Sequence, residues 1–205
     1  MSIRFRRYYA LTGAIISWAS LLLQLWLFIP EKVQDVPGQL VQLFSYFTTL
    51  TNILVAICFT SAASSTPASR SFFTRPATVA ATTMYIFMVG SLYYILIAPK
   101  WDPQGLAHLA VFLLHLVNPV LFILYWVLFV PKQTLRIQHA FWWLLYPLIY
   151  FAYILLRGLL TREYTYFFVD VNTLGLERVL LINGLIIEIF FLLSLLLIWF
   201  SKLRR

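Results

Sequence analysis

Six stretches of the sequence, at about 8–29, 40–61, 77–98, 106–130, 140–156 and 179–200, are almost uninterruptedly apolar. A helix that crosses a bilayer needs about 20 such residues, because the hydrocarbon core is about 30 Å thick and each helical residue rises about 1.5 Å. The breaks between the stretches carry turn chemistry. Pro30, Pro37 and Gly38 separate the first two, a Ser/Thr-rich run over 61–76 separates the next two, Pro99, Pro103 and Gly105 follow the third, and Pro131 stops the fourth. The expected fold is all-α: a polytopic membrane protein with one domain, residues 1–205, forming a bundle of six transmembrane helices. The first stretch follows a basic N-terminus as in a signal peptide, but it is too long for such a segment and lacks a small-residue cleavage site, so it is kept as a span.

Composition leads to the same class. Hydrophobic residues make up 62% of the chain and charged ones 11%, against about half and about a quarter in globular proteins, so the apolar surface must face lipid. The net charge of +8 comes from basic residues standing singly or in small groups beside apolar runs. No groove-sized basic patch forms, which argues against a nucleic-acid partner and for membrane anchors. Arg4, Arg6, Arg7, Arg70, Arg75, Lys132, Arg136, Lys202, Arg204 and Arg205 fall on one side. Lys32, Lys100, Arg157, Arg162 and Arg178 fall on the other, interleaved with acids. That bias puts both termini in the cytoplasm. The Trp residues lie mostly near span ends, where amphipathic rings sit at the membrane interface. Cys58 is the single cysteine, which excludes a disulfide framework and thiolate metal sites.

Polar side chains at membrane depth are costly and are functional candidates by default. In the second stretch Ser45, Thr48, Thr51 and Asn52 share one helical face, and Thr49 points about 100° away. His108, His115 and Asn118 share a face of the fourth, with Pro119 freeing a backbone carbonyl. Tyr146, Tyr150, Tyr153 and Arg157 form a stripe in the fifth, and Glu188 lies one turn after Gly184 in the sixth. With the termini inside, Thr48, His115 and Glu188 each fall about 8 to 10 residues from the outer side, roughly 12 to 15 Å down. A hydroxyl, an imidazole and a carboxylate in one layer are the parts of an activated nucleophile. Each has a structural alternative: a hydroxyl bonded to the carbonyl four residues back for Thr48, interhelical bonding for His115, and a pair with Arg157 for Glu188. Histidines at depth occur on one span only, so bis-His haem is not expected. Neither HExxH, GxSxG, a Gly-rich phosphate loop nor an intramembrane acidic pair is present, so no metal or other cofactor is expected.

The run Phe44-Ser45-Tyr46-Phe47-Thr48-Thr49-Leu50-Thr51-Asn52 is one of three segments that carry a resemblance. The second is His115-Leu116-Val117-Asn118-Pro119 with Trp126 after it. The third runs from Tyr146-Pro147 through Arg157-Gly158 to Tyr164, Tyr166 and Asp170. Together they resemble a family of bacterial six-span membrane proteins over most of the chain. More distantly they resemble the androgen-induced gene family of animals, membrane hydrolases that cleave fatty acid esters of hydroxy fatty acids with a Thr and a His inside the bilayer. The resemblance implies a bacterial cytoplasmic membrane location. It carries the nucleophile to Thr48 by its aromatic-aromatic-Thr pattern, or to Thr49 by the spacing to Asn52, and the His to His115. The animal family has one residue more between its His and the following Pro.

The leading expectation is an intramembrane hydrolase of a lipid-like ester, with Thr48 (or Thr49) as nucleophile and His115 as base. Ser45, Asn52, Asn118, Tyr150, Arg157 and Glu188 are the candidate substrate-binding residues, Asn52 and Asn118 as amide donors to the oxyanion. Membrane lipids and a lipid-like small molecule are the expected partners. The second class is a non-enzymatic binding or transport protein whose polar layer carries a proton or an amphiphile. The third is a structural or chaperone-like membrane partner.

Overall fold

The computed structural model describes residues 2–29, 36–64 and 71–203. The expected turn at Pro30, the 65–70 part of the Ser/Thr-rich loop, and Glu31, Lys32, Asp35, Arg70, Arg204 and Arg205 lie outside the described residues. Among the described residues the structure is helical and contains no strand. Six helices are long and apolar enough to cross a membrane: Ile3–Phe28, Phe47–Ser64, Pro76–Lys100, Gly105–Phe129, Gln138–Thr161 and Leu176–Leu203. The protein is a multi-pass membrane protein.

The elements are α1 (Ile3–Phe28), α2 (Val36–Phe44), α3 (Phe47–Ser64), α4 (Pro76–Leu92), α5 (Gly105–Phe112), α6 (Asn118–Phe129), α7 (Gln138–Trp143), α8 (Leu145–Thr161), α9 (Val171–Leu174) and α10 (Leu176–Leu203). The first helix starts five residues earlier than the apolar pattern suggests, because the Ser2 side chain accepts from the Phe5 N–H at 3.2 Å and caps it. The expected continuous helix over 40–61 is corrected. Pro37 and Gly38 belong to α2, and the chain breaks at Ser45–Tyr46 before α3 begins. No Pro or Gly marks this break. Ser45 is buried and its Oγ donates to the Val41 carbonyl at 2.7 Å, a side-chain bond that competes with the helix ladder.

The third and fourth spans each contain a wide π-turn, over Tyr93–Ile97 and Leu113–Val117. Each is closed by a bond from the residue before a proline: Ala98 N–H to the Tyr93 carbonyl, and Asn118 N–H to the Leu113 carbonyl. Pro99 and Pro119 would otherwise drive their rings into the carbonyl four residues back, and the wider turn absorbs that clash.

The chain packs as two compact units, Met1–Thr134 and Leu135–Arg205. In the first, α1 presents Ala10, Gly13, Ala14, Ser17, Ser20 and Leu21 as its buried face. Small residues let helix backbones approach where lipid offers no hydrophobic drive. A Cβ on Gly13 would lie 2.7 Å from the Phe59 ring, so the missing side chain is what seats that ring. Phe59 in turn meets Phe122 and Tyr125 edge-on, at centroid separations of 5.0 and 5.4 Å. In the second unit, α10 buries Val179, Asn183, Phe190, Ser194 and Ile198. Asn183 holds the connection from α8 in place by donating to the Phe168 carbonyl at 3.1 Å. Trp26, Trp101, Trp142 and Trp199 are exposed as interfacial rings should be, whereas Trp126 and Trp143 are core residues.

Lys132 departs from the picture of a solvated anchor. It is buried, and its ammonium donates to the carbonyls of Trp126, Val127 and Val130 at 3.1, 2.9 and 3.1 Å. It also lies 4.9 Å from the Trp126 ring centroid. The cation thus satisfies the open carbonyl end of α6 just where Pro131 ends the helix. Lys132→Met should remove these charge-assisted bonds and lower stability by about 1 to 3 kcal/mol, measured as a lower melting temperature in detergent. An unchanged melting temperature would show that the ammonium is not engaged with the helix end.

Candidate functional site

Thr48 is the second residue of α3, and the break at Ser45–Tyr46 decides what its hydroxyl does. Ser45, Thr60, Thr82, Thr83 and Ser194 all turn their hydroxyls back to the carbonyl four residues earlier. That is the ordinary fate of such residues in apolar helices. Thr48 does not follow it: its Oγ lies 3.2 Å from Nε2 of His115, on another span.

The other ring nitrogen fixes the chemistry of this pair. His115 Nδ1 is 2.9 Å from the Val111 carbonyl. A carbonyl has no hydrogen to give, so Nδ1 carries the proton and donates. In the neutral ring Nε2 is then a bare lone pair facing the Thr48 hydroxyl. The arrangement is hydroxyl to base to orienting acceptor, with a backbone carbonyl in the third place. His115 is 8% exposed, and its ring is stacked on Tyr93 at a centroid separation of 4.0 Å and an interplanar angle of 28°.

The asparagines build the wall behind this pair. Asn118 donates to Asn52 Oδ1 at 2.8 Å and to Ser20 Oγ at 2.9 Å, while Asn52 donates to the Thr48 carbonyl at 2.9 Å and the Leu114 carbonyl at 3.3 Å. Ser17 donates to Asn118 Oδ1 at 3.4 Å and Ser20 to the Ser17 carbonyl at 2.9 Å. All four of these side chains are fully buried. Both N–H groups of each amide are committed within the protein, so the expectation that Asn52 or Asn118 donates to an oxyanion is replaced by an interhelical role. The network ties α1, α3 and the fourth span together at the site's own level.

The remaining sequence candidates fall as follows. Ser45 is in the break itself and not on the α3 face of Thr48. Thr49, 2% exposed, donates to Gln24 Oε1 on α1 at 3.4 Å. Tyr150, Arg157 and Glu188 belong to the second unit. There Tyr150 is half-buried on α8, and the Arg157 guanidinium lies 3.8 Å from the Glu163 carboxylate. Glu188, matched in depth to Thr48 and His115 by the sequence, is exposed on α10. It stands about 140° around the helix from buried Asn183, on the same side as exposed Leu181, Leu185 and Leu192.

Sequence reading missed Tyr93, Gly90, Ser17, Ser20 and the Val111 carbonyl. Only Gly90 left a trace, as a glycine inside an apolar helix. A Cβ there would lie 2.6 Å from the His115 carbonyl oxygen, the group four residues before Pro119. The glycine permits that approach of α4 to the π-turn that carries His115.

The chain matches no family model, and no curated protein and no solved structure matches it.

Gly90→Ala should force α4 off the His115 turn, since the obstacle is backbone and not a movable side-chain end. The expected cost is about 1 to 3 kcal/mol, read as a lower melting temperature of the purified protein in detergent. A fully stable alanine variant would mean that the two helices do not meet there.

Proposed function

We propose that the protein is an intramembrane hydrolase of a lipid-like ester, with Thr48 as nucleophile and His115 as general base and then general acid. The observation that carries this reading is the 3.2 Å approach of Thr48 Oγ to a His115 Nε2 whose partner nitrogen donates to Val111. It sits within two apolar spans. The resemblance of the Thr48 and His115 segments to the bacterial six-span family and the androgen-induced gene family supports it as well. The finer location belongs to the same reading: a bacterial cytoplasmic membrane, both termini inside, and the pair in the outer half of the bilayer. The Lys and Arg bias between the loops supports that topology.

The reaction then runs in two halves. Nε2 takes the Thr48 proton as Oγ attacks the ester carbonyl, and the tetrahedral oxyanion collapses with cleavage of the C–O bond. The departing alkoxide takes the proton back from Nε2 and leaves as the alcohol. A water, deprotonated by the same Nε2, attacks the acyl-threonine, and protonation of Thr48 Oγ by the imidazolium releases the carboxylic acid. With the asparagine amides committed elsewhere, the oxyanion donors are the backbone N–H groups of Thr48 and Thr49. They stand in the first turn of α3, where a helix has no internal acceptor for them and the positive end of its dipole favours the developing charge.

A fluorophosphonate probe, which is attacked by activated hydroxyls, tests this on the full chain in detergent. Thr48→Ala should abolish labelling and His115→Ala should slow it by about 10²- to 10⁴-fold. Thr49→Ala and Glu188→Gln should label as the wild type does. Loss of labelling in Thr49→Ala with retention in Thr48→Ala would overturn the nucleophile assignment, and an unlabelled wild type would overturn the hydrolase reading.

A further inference from the structure

Tyr93 is used by nothing in the reaction above, yet it makes the closest ring contact with the proposed base. It is 5% exposed and lies at the start of the π-turn over Tyr93–Ile97, with its ring stacked on the His115 imidazole at 4.0 Å between centroids and 28° between planes. The turn matters to that placement. A π-turn takes one residue more than an α-turn, so side chains before and after it change face by about 100° relative to a regular helix. Pro99 is the residue that makes the wide turn favourable, because a regular helix there would press its ring on the Ile95 carbonyl. His115 lies in the second π-turn, so the two rings meet where both helices depart from regularity.

An imidazole on a Cβ–Cγ bond turns easily, and among the described residues two hydrogen bonds hold the edge of this one: Val111 on Nδ1 and Thr48 on Nε2. Rotation about that bond would drive the ring edge into a stacked neighbour. We propose that Tyr93 is a positioning residue for His115, holding the imidazole in the plane that keeps Nδ1–H on the Val111 carbonyl and Nε2 on the Thr48 hydroxyl. The inference rests on His115 being the base of the reaction above. The same π face meets the imidazolium that forms once Nε2 has taken the proton, an attraction of the cation–π kind at a distance well inside its range.

The test separates the two claims. The sequence has three histidines, so ¹⁵N-histidine labelling of the full chain, with His115 assigned by its loss in His115→Gln, reports the ring's tautomer directly. The wild type and Tyr93→Phe, which keeps the stack, should show a protonated Nδ1 and a bare Nε2. Tyr93→Leu should show a mixture of tautomers and label with fluorophosphonate about tenfold more slowly than Tyr93→Phe. Should Tyr93→Leu fail to fold, Tyr93→Met is read in its place, since its flexible chain fills the same space without a ring. A Tyr93→Leu or Tyr93→Met protein that keeps the Nδ1–H tautomer and labels at the wild-type rate would overturn the positioning role, as would an Nε2–H tautomer in the wild type. A wild type that is never labelled but whose tautomer is released by loss of the ring supports the positioning role while sinking the hydrolase.

Discussion

Inside a bilayer a backbone N–H or C=O without a partner has no water to turn to, so a spanning helix leaves regular geometry only where protein covers the departure. Among the described residues of the first unit, three segments that leave it meet. The α2–α3 break stops two residues short of Thr48, the fourth span opens its π-turn around His115, and the third opens its own around Tyr93. The Thr48–His115 bond and the Tyr93–His115 stack put all three at one level. His115 is ten residues, about 15 Å, beyond the start of its span at Gly105, whereas Thr48 is the second residue of the span that starts at Phe47. Several of the loosened backbone groups are met from nearby. Ser45 bonds back to Val41, Asn118 and Ala98 close the wide turns, and the Asn52 amide spans the carbonyls of Thr48 and Leu114. A candidate reactive pair at this level is therefore a consequence of where the helices are irregular.

Two kinds of polar group share that layer, and they are used differently. Asn52, Asn118, Ser17 and Ser20 are saturated by one another and by backbone, and removing any one leaves buried partners unmet. Interhelical bonds in membranes each contribute modestly, about 0.6 kcal/mol on average, so the value of the cluster lies in register. It brings α1, α3 and the fourth span to one relative height, and Gly13 and Gly90 let Phe59 and the His115 carbonyl come close without a side chain between. Thr48 and His115 are the opposite case. Among the described residues each reactive atom has the other as its hydrogen-bond partner.

Much of this was legible in the sequence, for reasons that differ from residue to residue. Six apolar runs of bilayer length leave one fold class. Thr48, Asn52, His115 and Asn118 stand out because ionisable, amide and hydroxyl groups in such runs are few, and matching their depths pairs the hydroxyl with the imidazole. Pro119 announces a freed carbonyl. The break at Ser45–Tyr46 was hidden, since an aromatic-rich run without Pro or Gly reads as continuous helix. Tyr93 was hidden because an aromatic in an apolar span carries no sign of which ring it will face on another helix. Glu188 misled through its depth: periodicity around α10 puts it on the exposed leucine side, and depth alone carries no information about direction.

The third member of the arrangement shows most clearly what the apolar layer demands. An orienting carboxylate would be the ordinary choice for the acceptor on His115 Nδ1, and in water its charge costs little. Buried among apolar spans, an ionised carboxylate needs a cation or several donors of its own to be tolerated. A helical carbonyl four residues back needs neither. It exists already, it is aimed along the helix toward the ring, and it fixes the same tautomer while leaving the resting site neutral. Charge then arises only while the proposed reaction is in progress, on the imidazole and the oxyanion together, between the Tyr93 face and the first turn of α3. A neutral ester arriving from the lipid would meet a neutral site, and separation of charge would be confined to the step that uses it.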